Sequence, residues 1–285
     1  MKTSTEIASA AKYIGEERAV EYIAKAGFDH WDFSMHQMYR YSKLRGCPLT
    51  ENSRFTGNGY LALARQLRQI GLDNGIACNQ SHAPFPTDVP QVQSLLKRSI
   101  ECTAEAGGKY CVIHPMNNAT AEENAEFYWS LLPFAKEHGV KIATENMWNW
   151  NADKTQTCFA ACSTTESFNA HLDAVNDPYL VACLDIGHSE MRGSGSGAVN
   201  MIHGLGKRLK CLHMHDNDLL HDSHQLPYTM QIDFEAVLKA LKEIGYEGDM
   251  TLEVDQYLSA YNSDNVFKGI QKMAGTARKM AAYFD

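Results

Sequence analysis

Six short segments of this chain each run from strand-like residues into a side chain that can bind a metal ion, and they recur at a nearly even pitch. They are Asn79-Gln80-Ser81-His82, Cys111-Val112-Ile113-His114, Ile142-Ala143-Thr144-Glu145, Cys183-Leu184-Asp185-Ile186-Gly187-His188, Leu212-His213-Met214-His215 and Thr251-Leu252-Glu253. The intervals between His82, His114, Glu145, Asp185, His215 and Glu253 are 32, 31, 40, 30 and 38 residues. A parallel barrel of roughly 250 residues shared among eight strands needs about 31 residues per βα unit. In such barrels the active site sits where strands end and βα loops begin. The pattern therefore predicts an α/β chain folded as a single (β/α)8 TIM barrel over residues 1–285, with these side chains converging on one face.

The rest of the chain follows that alternation. Residues 3–7 are a short first strand candidate. Residues 16–26 have helical spacing and stop at Gly27, and 28–34 alternate as a strand does. A long segment, about 36–58, carries Tyr39, Arg40, Tyr41, Lys43, Arg45 and Arg54. Its length suits a lid or binding loop. Further strands are expected at 76–81, 109–113, 140–145, 179–185, 209–215 and 249–254. Helices are expected at 59–70, 89–107, 120–138, 164–175, 233–244 and 264–283. The helix at 59–70 is read as ending before Gly71. The stretch Gly193-Ser194-Gly195-Ser196-Gly197 reads as a mobile loop beside the site.

Composition narrows the class. With 44% hydrophobic and 21% charged residues, a chain of 285 can bury a sizeable core. A net charge of −8 argues against a nucleic-acid partner. No apolar run approaches the roughly 20 residues needed to cross a bilayer. The first residues lack the apolar stretch of a signal peptide. There are eight cysteines and no C-x-x-C pair. Cys78, Cys111, Cys183 and Cys211 fall in strand-like runs and are expected as small buried hydrophobes. Cys158 and Cys162, four apart, are expected to share a helix face. Reduced thiols and a cytoplasmic location follow.

Imidazole nitrogen and carboxylate oxygen together suit zinc, manganese, cobalt or iron. Asp185 and His188 form D-x-x-H at one strand end, and Asp222 and His224 form D-x-H beyond another. Glu145 and Glu253 end strands expected on opposite sides of the barrel, where carboxylates can bind a metal and exchange protons with a substrate. His213 is expected to point to the other face of its strand from His215 and to be structural. His30, His36, His138, His171, His203 and His221 receive no role.

These segments, with Gly27-Phe28-Asp29-His30-Trp31-Asp32-Phe33 and Gly245-Tyr246-Glu247-Gly248-Asp249-Met250-Thr251-Leu252-Glu253, resemble the xylose isomerase-like TIM barrels. That superfamily joins sugar isomerases and epimerases to endonuclease IV. The resemblance implies one divalent metal (Mn2+ or Zn2+, with Co2+ or Mg2+ as alternatives) on Glu145, Asp185, His215 and Glu253. It makes Glu145 and Glu253 the catalytic acid/base pair and His188 a substrate contact. Endonuclease IV holds three zinc ions on the same frame, and its further ligands match His82, His114, His188, Asp222 and His224. Barrels of the family often pair, so a homo-oligomer is an expectation. One departure concerns a Pro-x-Gly-x-Gly stretch common in relatives. Here it reads Leu226-Pro227-Tyr228-Thr229-Met230-Gln231-Ile232-Asp233-Phe234, without glycine.

The leading expectation is a metal-dependent sugar or sugar phosphate isomerase/epimerase working through a cis-enediolate. Trp148, in Met147-Trp148-Asn149-Trp150-Asn151, offers an aromatic face to a polyol. Two alternatives use the same site: a phosphodiesterase on abasic DNA, and a dehydratase or lyase on a keto-polyol or oxidised glycoside. A non-catalytic, metal-stabilised subunit is a further reading.

Overall fold

The structure, a computed structural model, describes residues 1–38, 54–193 and 196–285. Strands form at all eight expected places: β1 (Thr3–Thr5), β2 (His30–Ser34), β3 (Ala77–His82), β4 (Tyr110–Val112), β5 (Lys141–Glu145), β6 (Leu180–Asp185), β7 (Leu209–His213) and β8 (Met250–Leu252). They are short, and most of their residues are buried on both faces, whether apolar or, as in Thr3–Thr5 and Gln80–His82, polar. Strand β6, Leu-Val-Ala-Cys-Leu-Asp, is buried at every position. Strands β2 to β7 form one curled, parallel, six-stranded sheet in sequence order. Strand β1 pairs with β8, also in parallel. Single parallel bridges, Glu6 to Asp32 and Met214 to Leu252, link that pair to the two edges of the six.

The helices are α1 (Ala8–Ile14), α2 (Glu16–Ala26), α3 (Tyr60–Asp73), α4 (Pro90–Ala106), α5 (Ala121–Glu137), α6 (Thr165–Val175), α7 (Ile186–Glu190), α8 (Ala198–Leu205), α9 (Phe234–Glu243) and α10 (Val266–Ala281). Their starts are written in the sequence. Thr120 and Glu123 close a capping box on α5, and Thr164 and Asp233 cap α6 and α9 through their side chains. Gly27 and Gly107 end α2 and α4 in the left-handed conformation. Helix α3 runs through Gly71 rather than stopping before it. A Cβ there would sit 2.9 Å from the Trp31 indole nitrogen and 3.0 Å from the Ile76 carbonyl, so that glycine serves close packing.

The main core fills the space between sheet and helices, with Trp31, Phe33, Leu67, Leu96, Tyr128 and Phe168 fully buried. A smaller cluster of Val112, Ala143, Val181, Cys183 and Cys211 lies apart from it. Cys78, Cys111, Cys183 and Cys211 are buried thiols, as small hydrophobes should be. Cys158 and Cys162 do not share a helix face. Cys158 belongs to an antiparallel hairpin of Asn149–Trp150 and Thr157–Cys158, and Cys162 sits at a positive φ of 60°. Tyr39, Arg40, Tyr41, Lys43 and Arg45 lie outside the described residues, as do Ser194 and Gly195. Arg54 is drawn onto α2, 3.2 Å from Glu16 and 2.7 Å from Glu17. Among the described residues, no helix is long and apolar enough to cross a membrane.

Candidate metal and active site at the strand ends

Strand β5 delivers Glu145 into a ring of imidazoles. Its carboxylate lies 3.1 Å from His213 Nδ1, 3.2 Å from His114 Nε2 and 3.5 Å from His82 Nε2. The next residue, Asn146, clips β5 to β6. Its amide donates to the Asp185 carbonyl at 2.9 Å, and its oxygen accepts from the Asp185 N–H at 2.8 Å. Asp185 then caps α7, accepting from the His188 N–H at 2.6 Å. Gly187 is required by a close approach: a Cβ there would lie 1.9 Å from the His215 ring.

Three of the histidines are oriented by their own backbone contacts. Their Nδ1 atoms sit 2.8 Å from the Ala83 carbonyl for His82, 2.9 Å from the Asn146 carbonyl for His188 and 2.9 Å from the Glu253 carbonyl for His224. A carbonyl only accepts, so each Nδ1 carries a proton and Nε2 is the nitrogen left to face inward. This is the arrangement metal-ligating histidines usually show. His82 Nε2 and His114 Nε2 are 2.9 Å apart, a distance that requires a proton or a cation between two otherwise repelling lone pairs.

The polar atoms gather into overlapping groups whose members lie within 4.8 Å of one another. One is Glu145, Asp185, His213 and Glu253. Another is His82, His114 and Glu145. A third is His188, His215, Asp222 and His224. A fourth joins His36 and His82 to Glu253. All nine ligand-type residues singled out in the sequence therefore fall into these groups. Within them Glu145 Oε2, Asp185 Oδ2, Asp222 Oδ1, His213 Nε2 and both nitrogens of His215 are buried without a hydrogen-bond partner. Each such atom costs about 1–3 kcal/mol if nothing compensates it. A divalent cation among mixed nitrogen and oxygen donors would compensate several at once, so the residues fit zinc or manganese.

His213 corrects the sequence reading. It does not point away from His215, because residues two apart on a strand share a face. Its Nδ1 faces both glutamates, at 3.1 Å from Glu145 and 3.4 Å from Glu253. His215 touches Asp185 at 3.1 Å and Asp222 at 3.4 Å, and its ring stacks on His224 at 3.9 Å. His36 was also without a role. Its Nε2 lies 4.0 Å from Glu253, and its ring meets His82 edge-on. The signal was present in both cases: His213 precedes a ligand by two, and His36 follows the end of β2 by two.

The charges are strongly perturbed. Burial would raise the Glu145 carboxyl, yet His213 and His114 hold it well below the usual carboxylate range. Burial opposes protonation of His188, but Asp185 and Asp222 outweigh it and lift the imidazole to about 10. Glu6, at the end of β1, is pushed by burial to about 7 despite hydrogen bonds from Ser9.

A cleft of about 390 Å³ opens over this end, lined among others by Glu6, His36, Phe85, Asp222, His224 and Glu253. Trp148 stands half-buried beside it, its indole N–H donating to Asp222 at 3.3 Å. The loop that lacks the glycines is pinned instead by Asp216, whose carboxylate accepts from the N–H groups of Met230 (2.7 Å), Gln231 (3.1 Å) and Ile232 (3.0 Å). Tyr228 takes the positive φ there, 70°.

Known proteins place this architecture. The uncharacterized protein MJ1311 of Methanocaldococcus jannaschii is 27% identical over 205 residues, 66% of this chain and 68% of its own length. The uncharacterized protein y4fM of Sinorhizobium fredii is 26% identical over 206 residues, 66% of this chain and 63% of its own. Among solved structures, a D-tagatose 3-epimerase-like protein matches with a TM-score of 0.71 at 20% identity over 99% of both chains. IolI protein with a bound zinc atom matches with 0.72 at 19% over 100% of both. The 3-keto-D-glucoside 4-epimerase YcjR of E. coli matches with 0.68 at 14%, over 98% of this chain and 99% of its own. At these identities the structural likeness speaks for the fold. The model of the xylose isomerase-like TIM barrel family matches residues 20–274, and the chain belongs to that family.

Proposed function

We propose that the protein is a metal-dependent sugar isomerase or epimerase, with Glu145 and Glu253 as its acid/base pair. One observation carries this: two glutamates from different strands present carboxylate oxygens within 4.8 Å of each other, beside Asp185, and one of them, Glu253, lines a cleft. The solved relatives described as epimerases of D-tagatose, D-psicose and L-ribulose type support the same reaction class. This reading takes the eight strands as a closed barrel, supported by the two bridges flanking the β1–β8 pair.

Glu145, Asp185 and Glu253 would hold a divalent cation together with a histidine, and both His213 and His215 reach this group. When bound, the cation supplies Lewis-acid charge that acidifies the C–H beside a sugar carbonyl. One glutamate removes that proton, and the electron pair moves onto the carbonyl oxygen. The other returns a proton to the opposite face of the same carbon in an epimerase; in an isomerase the proton goes to the neighbouring carbon while the hydroxyl proton passes from one oxygen to the other. The depressed carboxyl of Glu145 keeps it ionised, the state needed to hold a cation or accept a proton. His188 and Trp148 border the site and would orient substrate hydroxyls and C–H faces.

A panel of ketoses, free and phosphorylated, incubated in heavy water tests the proposal. Deuterium beside the carbonyl is the expected result, and loss of a leaving group instead would identify the dehydratase or lyase branch. Wild-type rates in Glu145→Gln or Glu253→Gln would remove the acid/base assignment. A second reading has its own observation: the groups His82/His114/Glu145 and His188/His215/Asp222/His224 match the additional ligands of a three-zinc phosphodiesterase. About one equivalent of metal per chain favours the epimerase; near three equivalents of zinc, with cleavage of an abasic duplex, favours the phosphodiesterase.

A further inference from the structure

The cleft that holds Glu253 also reaches the end of β1 and the start of α1, which the proposed reaction leaves without a role. Glu6, Ser9 and Lys12 line it there, with Asp255 and Gln256 from the segment after β8. Pairing of β1 with β8 brings these two segments together: Thr5 is in register with Leu252, and the Glu6 N–H donates to the Leu252 carbonyl at 3.2 Å. Glu6 is 3% exposed, and its Oε2 accepts from the Ser9 N–H and from the Ser34 hydroxyl, each at 3.0 Å. Its Oε1 has only a longer contact with the same N–H, 3.3 Å. The Ser34 oxygen in turn accepts from the Ala8 N–H at 3.0 Å, so β2, the Glu6 carboxyl and the start of α1 are tied together. Ser9 is 2% exposed, yet its hydroxyl has no hydrogen-bond partner. A buried hydroxyl left alone is costly, and because it rotates to donate or accept, a second hydroxyl satisfies it.

Charge separates the kinds of ligand that could do so. Glu6, Asp222, Glu253 and Asp255 put four carboxyl groups on one cleft. Burial, reinforced by the charges of Asp255 and Glu253, pushes the Glu6 carboxyl up. Among the described residues lining the cleft, the one permanent cation is Lys12, which is exposed and stands 5.0 Å from the Tyr13 ring centre. A phosphate needs several donors and meets acceptors here. A sugar hydroxyl gives its proton to a carboxylate and its lone pairs to Ser9.

We propose that Glu6 and Ser9 form a hydroxyl-binding subsite for the end of the sugar remote from the reacting carbons, and that the substrate carries a free hydroxyl there rather than a phosphate. This rests on the isomerase/epimerase reading above. Because the subsite is held by backbone and side-chain hydrogen bonds away from the reacting carbons, it binds ground state and transition state alike and acts on KM rather than kcat.

The test uses the full-length, metal-loaded enzyme and the free ketose that exchanges deuterium fastest. Its terminal phosphate ester and its mono-deoxy analogues, one for each carbon beyond the reacting pair, are compared with it. Ser9→Ala breaks no internal side-chain hydrogen bond and should fold as the wild type does. It should raise KM by roughly 3–10-fold with kcat within about twofold. One mono-deoxy analogue should lose roughly 3–10-fold in kcat/KM on the wild type and nothing on Ser9→Ala, since the two deletions remove the same interaction. The phosphate ester should be at least about 100-fold poorer than the free ketose, an unpaired charge being what the cleft selects against. Glu6→Gln should narrow that gap several-fold. A phosphate ester that reacts better than the free ketose overturns the proposal. So do analogues that all lose as much on Ser9→Ala as on the wild type, the mark of a merely structural serine. If no ketose exchanges, free or phosphorylated, the reaction reading fails and the subsite falls with it, a result distinct from an enzyme that prefers the phosphate.

Discussion

The two largest ligand groups are built in different ways. Glu145, Asp185, His213 and Glu253 come from four strand ends or the residue just beyond one, and their side chains are 1%, 0%, 1% and 8% exposed. Asp222 and His224, of the His188/His215/Asp222/His224 group, come from the excursion after β7 and are 22% and 16% exposed. His224 also holds a positive φ of 40°, a conformation a non-glycine residue adopts only when its surroundings impose it. Strand ends inherit their positions from the hydrogen-bonded ladder. Loop residues depend on local pins such as Asp216. Chemistry that needs sub-ångström placement belongs on the ladder, and adjustment to different ligands belongs on the loop.

The sharpest way to break that comparison is turnover. Glu145→Gln or Glu253→Gln is expected to lower kcat by at least about 10³-fold, the scale at which a positioned acid or base is lost. Asp222→Asn should cost roughly tenfold. Equal losses from both groups, measured on the same ketose, would erase the distinction. Next is Gly187→Ala, which forces a Cβ into the His215 ring. It should destabilise the fold by about 3 kcal/mol as overpacking does, read as a drop in Tm, and should disturb the His215 group before the glutamates.

A pH experiment on metal-free protein probes the margin between the groups. Glu6 is raised from 4.5 to about 7 in the fold. Between those values the native state binds the extra proton, so this group's stability contribution is complete below about pH 4.5 and is lost as pH rises through 7, by roughly 3 kcal/mol at most. Glu6→Gln should flatten that slope, with its largest relative gain near pH 8; an unchanged Tm–pH profile would contradict the buried carboxyl. The smallest expected effect is Thr120→Ala at the α5 capping box, about 1 kcal/mol in denaturant unfolding with kcat untouched.

Much of this molecule was legible in one dimension. Several strands sat where apolar runs met ligand side chains, and five of the ten described α-helices began at Thr, Asp or Pro and several stopped at Gly, because those residues satisfy or free terminal backbone groups locally. Three helices and one hairpin were not foreseen. Helices α1, α7 and α8 are only 7, 5 and 8 residues long, so their own periodicity is too brief to read. The hairpin at Asn149–Cys158 closes through Asn151 and Asp153, whose side chains accept from the Thr155 N–H, and it is tied down by Thr157 donating to the Arg192 carbonyl and Asn117 donating to the Trp148 carbonyl.

At the site, the residue types and their spacing along the chain determined which side chains meet, since a repeating βα unit brings every strand end to one rim. Which histidine faces the glutamates was decided only in three dimensions. His213 and His215 share a face, yet their partners differ: Asp32 and the glutamates surround one, Asp185, Asp222 and His224 the other. That difference is a property of the tertiary packing, in which Gly187 makes room for the His215 ring and Gln80 holds the Asp32 carboxylate.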